Sequence, residues 1–339
     1  MAESGRLPFL GRRALLSGLG RFGPWVPGIG ATLAGERPDV VHSANIAFES
    51  MVAASARFAR QRGVPHVVTP FVHLGEGPRS KVRRFYTMPH QLALLRAADA
   101  VLTLTSMEAD YLMAGGVPPA RIRVVGAGID VASVTGGDGS RARERYGLRA
   151  PVVLSLGAAA YDKGTVHLVD AVRRLHQRGQ DVDLVVAGPP LSAFTRYVDA
   201  LPAPERRHIH LLGFVAEEEK RDLLAAADVV VLASRTESFG LVFLEAWANG
   251  KPVIGARAGA IPDVVEHGTD GLLVEFGDVD GLAEAVSRLI ADHGLAATLA
   301  ERGRRKVVDE RVWFDRVWAV YEELTSRPRM TPVRGEEDV

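Results

Sequence analysis

The stretch "DVVVLASRTESFGLVFLEAWANGKPVIGA", residues 228–256, changes period twice. It opens on an apolar, mostly β-branched run and passes through a polar turn around Gly240. It continues as "LVFLEAWA" with helical spacing, stops at Asn249-Gly250 and resumes as "PVIGA". Asn-Gly followed by Pro252 is the expected end of a helix. Two fully apolar short runs separated by a helix read as parallel strands covered on both faces.

The same rhythm continues in both directions. Strands are expected in "DVVHSA", "HVVTPF", "AVLTLT" and "IRVVGAG", then in "PVVLSLG", "VDLVVAG", "HIHLLGF", "DVVVLAS", "KPVIGA" and "GLLVE". Helical patterns such as "ESMVAASARFARQRG", "HQLALLRAAD", "GTVHLVDAVRRLHQRG" and "EEEKRDLLAAAD" lie between them. Strictly alternating strands and helices give an α/β chain of two Rossmann-like parallel-sheet domains facing a cleft. The first domain is assigned to residues 1–130. The polar, glycine-rich "VASVTGGDGSRARERYG" makes 131–150 a linker. The second domain covers 151–310, an aromatic helix at 311–328 packs back, and 329–339 is a disordered tail. Trp313 and Trp318 are expected to pack in core positions of that helix rather than to stack on bases.

Composition narrows the function. The chain of 339 residues is long enough for two cores, and its Lys+Arg and Asp+Glu totals are equal at 41, so no global field draws it to nucleic acid. With no cysteine, disulfides, thiolate metal sites and thiol nucleophiles are excluded. The opening residues are too broken by Gly, Pro and Arg for a membrane span, so a cytoplasmic protein is expected. The basic cluster "PRSKVRRFY", Pro78 to Tyr86, reads first as a solvated loop. It also leaves room for peripheral contact with the inner membrane face or with a phosphate-bearing acceptor.

Three other patterns carry little. "GLGRFG", Gly18–Gly23, has dinucleotide-loop spacing but no preceding strand, which argues against a nicotinamide-dependent oxidoreductase. The "DVD" at Asp181–Asp183 opens a strand, and that at Asp278–Asp280 suits a helix cap; no metal site is assigned. His208 and His210 are expected at the surface.

The carboxyl end of a parallel strand is where α/β sheets bind ligands, and a helix N-terminus there favours phosphate. "RTESFG" occupies that place. Gly240 lets backbone approach a ligand, while Glu237 and Glu245 lie on either side, about 12 Å apart if the span were helical throughout. That spacing suits a diphosphate bound between two hydroxylated ends, a sugar and a ribose. "LSLGAAAYDKG" adds Lys163, positioned to neutralise a leaving diphosphate.

In these stretches, with "GAIPDVVEHGTDGLLVE" and "LLGFVAEEEKRDLLAAADVV", the chain resembles the retaining glycosyltransferases of family four, which have the GT-B fold. The resemblance is dense over residues 151–325 and looser back to "RPDVVHSAN". It implies hexose transfer from a UDP- or GDP-linked donor to an acceptor hydroxyl, with no cofactor and no required metal. The first domain would then be the acceptor side, taking a glycan, lipid or small molecule, and the second the donor domain. Carried over, Glu237, Lys163 and His73 are the catalytic candidates, Glu237 holding the sugar and Lys163 the diphosphate. Gly157, Ser238, Phe239, Gly240 and Leu241 line the donor, Glu245 binds the ribose, and Gly213, Phe214 and Val215 border the base. An arginine usual in that family is replaced by Ala158, leaving Arg235 and Arg257 unplaced. No strand and glycine loop precede "PDVVH", so the N-terminal domain is expected to be incomplete. That keeps a non-catalytic sugar-nucleotide-binding subunit, and self-association, as alternatives. A sugar-nucleotide epimerase of the same shape lacks an evident acid–base pair.

Overall fold

The structure, a computed structural model, describes residues 28–77 and 80–326, which form two compact units. The first takes residues up to Val72, Lys81–Gly126 and the chain from Phe314; the second takes His73–Ser80 and Ala127–Trp313. The Gly18–Gly23 pattern and the 329–339 tail lie outside the described residues.

Among the described residues, four parallel strands form the first sheet: β1 (Val41–Ala44), β2 (His66–Thr69), β3 (Ala100–Thr103) and β4 (Ile122–Val124), ordered 1-2-3-4. Every residue of β2 and β3 is buried, the polar His66, Thr69 and Thr103 together with the apolar residues between them. Helices Glu49–Arg62, Pro89–Ala97 and Ser106–Ala114 connect them.

The second sheet has six parallel strands: β5 (Val152–Leu156), β6 (Asp183–Ala187), β7 (Ile209–Gly213), β8 (Val229–Leu232), β9 (Val253–Ala256) and β10 (Leu272–Val274). Their spatial order is β10-β9-β8-β5-β6-β7, so the winding reverses between β5 and β8. All ten expected strands are present, each within two residues or so of the apolar run that announced it.

Three expectations change. Residues 131–150 are no loose linker: they hold two short helices, Val131–Val134 and Gly139–Tyr146, within the second unit. The glycines there serve close packing rather than freedom, since a Cβ on Gly137 would lie 2.1 Å from the carbonyl oxygen of Arg221. Asp222 completes the dock by accepting from the Asp138 amide at 2.7 Å and Arg141 Nη2 at 2.8 Å. The C-terminal helix runs Glu310–Ser326, and Trp318 on it is 49% exposed, stacked on Phe314 instead of entering a core. His208 and His210 are not free surface groups: both are half-buried and approach Asp183 Oδ1, at 3.1 and 3.7 Å. Asp278 does cap its helix, accepting from the Gly281 amide at 2.9 Å.

Candidate active site

Where the winding reverses, β5 and β8 pair side by side, Leu154 opposite Val230, and their chains leave in opposite directions. A crevice at the carboxyl ends of two such strands is a geometric consequence of the topology. Two loops line it, Gly157–Gly164 and Ala233–Gly240. They are bonded together: the Arg235 amide donates to Asp162 O at 3.0 Å, and Ser234 Oγ to the same oxygen at 3.3 Å. Gly164, at φ 73°, passes so near Ala233 that a Cβ would lie 2.0 Å from its carbonyl oxygen. No side chain fits there.

That docking fixes Lys163, the last residue of a single helical turn Tyr161–Lys163. Its Nζ lies 3.0 Å from Glu237 Oε2 and 3.4 Å from Thr236 O. The main chain of Glu237 is held in turn, because its carbonyl accepts from the Ala260 amide at 3.0 Å.

Ser238, Phe239 and Gly240 then lead into the helix Leu241–Ala248. Phe239 packs down on the core, Gly240 takes the N-cap at φ 93°, and no side chain caps the first turn. A Cβ at Gly240 would meet the Phe243 ring at 2.8 Å. The helix start is anchored from below by buried Phe243 and Trp247. Leu241, half-exposed, begins it. Glu245 follows one turn on, its Oε1 3.3 Å from Lys220 Nζ, which also binds Glu217 at 2.8 Å. Burial opposes the charge on Lys220, but the Glu217 hydrogen bond and the field of Glu245 outweigh it and raise its pKa.

Arg235 and Arg257, left unplaced by the sequence, are both engaged by acidic side chains. The Arg235 guanidinium is held by Asp162 on one edge and by Glu76 Oε1 at 2.7 Å on another, and it lies over the rings of Tyr161 and Phe276. Arg257 stands near the surface, 3.6 Å from Glu275. The Arg235–Glu76 pair has a different effect: it holds the loop that carries His73. Gly75 O accepts from the Gly259 amide at 2.8 Å, next to it. Burial holds the His73 imidazole below its ordinary pKa; Glu237 works against that, Lys163 with it, and the Thr236 backbone hydrogen-bonds the ring. Lys163, Glu237 and His73 thus lie in one electrostatic cluster.

The remaining candidates lie along the same rim. Gly157 follows β5, and Gly213 ends β7, its carbonyl accepting from the Gly188 amide at 2.6 Å. Val215 packs on the core, whereas Phe214 is 86% exposed. Sequence reasoning missed Lys220, Glu76 and the fixing of Arg235; no spacing signal marks pairs separated by 25 or 159 residues.

Comparison with known proteins gives the family. Residues 140–306 match the family model for glycosyl transferases group 1, and residues 2–128 match the glycosyl transferase 4-like domain. The lipopolysaccharide core biosynthesis glycosyltransferase LpsE of Rhizobium meliloti is 31% identical over 68% of this chain and 65% of its own length. The MMP alpha-(1->4)-mannosyltransferase of Mycolicibacterium hassiacum is 32% identical over 73% of this chain and 59% of its own. A GDP-mannose-dependent phosphatidylinositol monomannoside mannosyltransferase of Mycolicibacterium smegmatis is 35% identical over 56% and 51%. The chain therefore spans roughly half to two thirds of the length of these relatives. Among solved structures, HepE of Anabaena in complex with UDP and glucose superposes with a TM-score of 0.75 at 23% identity, covering 91% of this chain and 83% of that one. Sucrose-phosphate synthase of Thermosynechococcus elongatus gives 0.73 at 24% identity, over 95% and 82%. At such identities they speak for the fold alone. The two family models, the relatives and the two Rossmann-like sheets together place this chain in the group 1 glycosyltransferases of the family-four type, with the GT-B fold.

Proposed function

We propose that the chain transfers a hexose from a UDP- or GDP-linked donor to an acceptor hydroxyl with retention at the anomeric carbon. The observation that carries this reading is the meeting of Lys163, Glu237 and His73 at the switch point, beside a helix that starts without a side-chain cap. In this reading the diphosphate lies at the helix N-terminus and takes up Lys163, releasing it from Glu237. Glu237 then accepts from sugar hydroxyls, Glu245 from the ribose diol, and Phe214 with Gly213 and Val215 flanks the base. As the glycosidic bond breaks, charge develops on the leaving phosphate oxygen. Lys163 and the first-turn amides are aligned with that charge before it appears, which is how a fixed site lowers a barrier. These groups supply the stabilisation without a metal. The leaving oxygen takes the acceptor proton on the face it departs from, which accounts for retention.

The donor base stays open between uridine and guanosine, since the relatives and neighbours include both a GDP-mannose-dependent enzyme and a UDP complex. For the acceptor, relatives named for lipopolysaccharide core and phosphatidylinositol mannoside favour a glycan or lipid. The turn Val82–Phe85, with Lys81, Arg83 and Arg84 beside an exposed Phe85, supports contact with a phosphate-bearing acceptor or an anionic membrane face.

Thermal-shift titration with UDP, GDP and ADP tests the donor site, followed by hydrolysis of the matching nucleotide-sugar. Saturation at a hundredfold excess over Kd stabilises by about 2.7 kcal/mol, so one nucleotide should raise Tm clearly. A shift with slow hydrolysis supports the transferase. A shift without turnover points instead to a binding subunit, and no shift with any nucleotide removes the donor-site reading.

A further inference from the structure

Glu108 lies in the first turn of the helix Ser106–Ala114 and is 0% exposed. Its two oxygens serve two different segments: Oε1 accepts from the Val72 amide at 2.7 Å and Oε2 from the Leu104 amide at 3.0 Å. These amides belong to the chains leaving β2 and β3. The helix itself does not need the carboxylate, since Thr105 Oγ1 already caps it by accepting from the Glu108 amide at 3.2 Å. Burying a carboxylate is costly, and here burial pushes its pKa up to about 7. A neutral amide side chain would offer only one acceptor oxygen where two amides point.

A second costly feature adjoins it. Phe71 sits at φ 51°, and it and Asn45 are the two non-glycine residues with positive φ among those described. For an aromatic residue this backbone costs on the order of 1–3 kcal/mol and persists only where its surroundings enforce it. The residue after Phe71 is Val72, held by Glu108, and the residue after that is His73.

We infer that Glu108 is a positioning residue: through the Val72 amide it holds the strained Phe71 turn and so sets where the His73 imidazole stands. The inference rests on the role proposed above for His73. It assigns Glu108 no contact with substrate.

The test is imidazole NMR on the full chain with labelled histidine, the His73 signal being identified by its loss in His73→Gln. In Glu108→Gln, one of the two amides faces an amide group and the turn loosens. The His73 ring then becomes more exposed, and its titration midpoint should move up toward the ordinary imidazole value. The signals of His208 and His210, held at Asp183, should stay in place. An unmoved His73 signal overturns the inference, and so does a common shift of all ten histidines, which would report general loosening. Should Glu108→Gln not fold, Glu108→Asp keeps the charge but withdraws it by one methylene from the Val72 amide; it should move the His73 signal in the same direction, and a fixed signal again refutes positioning. This readout needs no substrate, so failure of the donor reading, seen as absent nucleotide binding, is recognised separately.

Discussion

The carboxyl rims of the two sheets are built by opposite means. In the second unit the strands run out into glycine: Gly157 after β5, Gly188 after β6 and Gly240 after β8, at φ 117°, 142° and 93°. In the first unit β1 and β2 run out into side chains, while Gly126, at φ 71°, follows β4. Asn45 follows β1 and Phe71 follows β2, both with positive φ, and buried polar groups brace the loops. Besides Glu108, Glu49 there meets His90 Nε2 at 3.1 Å and Gln91 Nε2 at 3.4 Å. The glycine rim exposes main-chain amides, which suits a phosphate that every donor shares. The side-chain rim fixes loop shape through partners that can be changed one at a time. In the function proposed above, that division would serve a common donor chemistry and a variable acceptor.

The largest expected effect lies where the glycine rim meets a charged side chain. Glu237→Ala should lower turnover of the nucleotide-sugar by about 10²–10³-fold, the range typical of removing one group aligned with a transition state. Nucleotide Kd should change little, because Lys163 remains and the helix start is untouched. A large loss of nucleotide affinity with turnover preserved would assign Glu237 to binding alone, and the contrast between the rims would lose its chemical basis.

Next comes the pH dependence of stability. Glu108 in the folded chain titrates at about 7, above its ordinary value of 4.5. A folded-state pKa raised in this way gives stability that is full below the unfolded pKa and lost as pH rises through the folded one. The group therefore contributes progressively less between pH 4.5 and 7, by up to about 3 kcal/mol. The groups bonded to the carboxylate are the backbone amides of Val72 and Leu104, which do not titrate. In denaturant melts, the stability advantage of the native chain over Glu108→Gln should shrink from pH 5 to pH 8. A constant difference across that range would mean that the carboxyl group is not held as described, and the side-chain rim would be less costly than it looks.

How far the sequence discloses these rims follows from what periodicity can report. Strands such as "DVVVLAS" and "PVVLSLG" are mostly apolar because both faces are covered, so burial itself writes them into the chain. The helix at Leu241 was equally readable, since Gly240 and Asn249-Gly250 punctuate it. The Lys163–Glu237 pair was anticipated as two separate roles but not as a contact, since tertiary pairing leaves no local mark. Residues 131–150 read as a linker for a related reason: glycine signals either freedom or close approach, and only the helix Glu217–Ala226 packed against Gly137 decides which. Glu108 was invisible because a glutamate early in a helix is ordinary for capping.

Gly240→Ala sharpens the glycine side of the comparison. The substitution forces a Cβ at φ 93° into the Phe243 ring, whereas Gly213→Ala, at φ 66°, meets nothing within 4 Å. Both carry the cost of a left-handed backbone, about 1–2 kcal/mol. Only the first adds a clash, and only the first displaces the helix start. Chemical denaturation should therefore rank Gly240→Ala as the less stable, and calorimetry should show its nucleotide affinity reduced more. Equal losses in the two variants would mean that the row of glycines is a backbone habit of the fold and not a surface shaped for a ligand.

The smallest effect concerns Glu245, the carboxylate proposed above to hold the ribose. In the structure it is poised by Lys220, which Glu217 holds from the other side. A ribose diol bound to Glu245 is unchanged when the glycosidic bond breaks, so the interaction is the same in ground and transition states. Losing such uniform binding raises KM and leaves kcat alone. Glu245→Ala should raise the donor KM about tenfold, the value of one hydrogen bond to a charged group, at nearly constant kcat. Lys220→Ala should act in the same direction and more weakly, because it disturbs only the orientation of the carboxylate. If Glu245→Ala instead lowers kcat as Glu237→Ala does, the two glutamates share one task, and the crevice does not divide its donor into a reacting end and an anchored one.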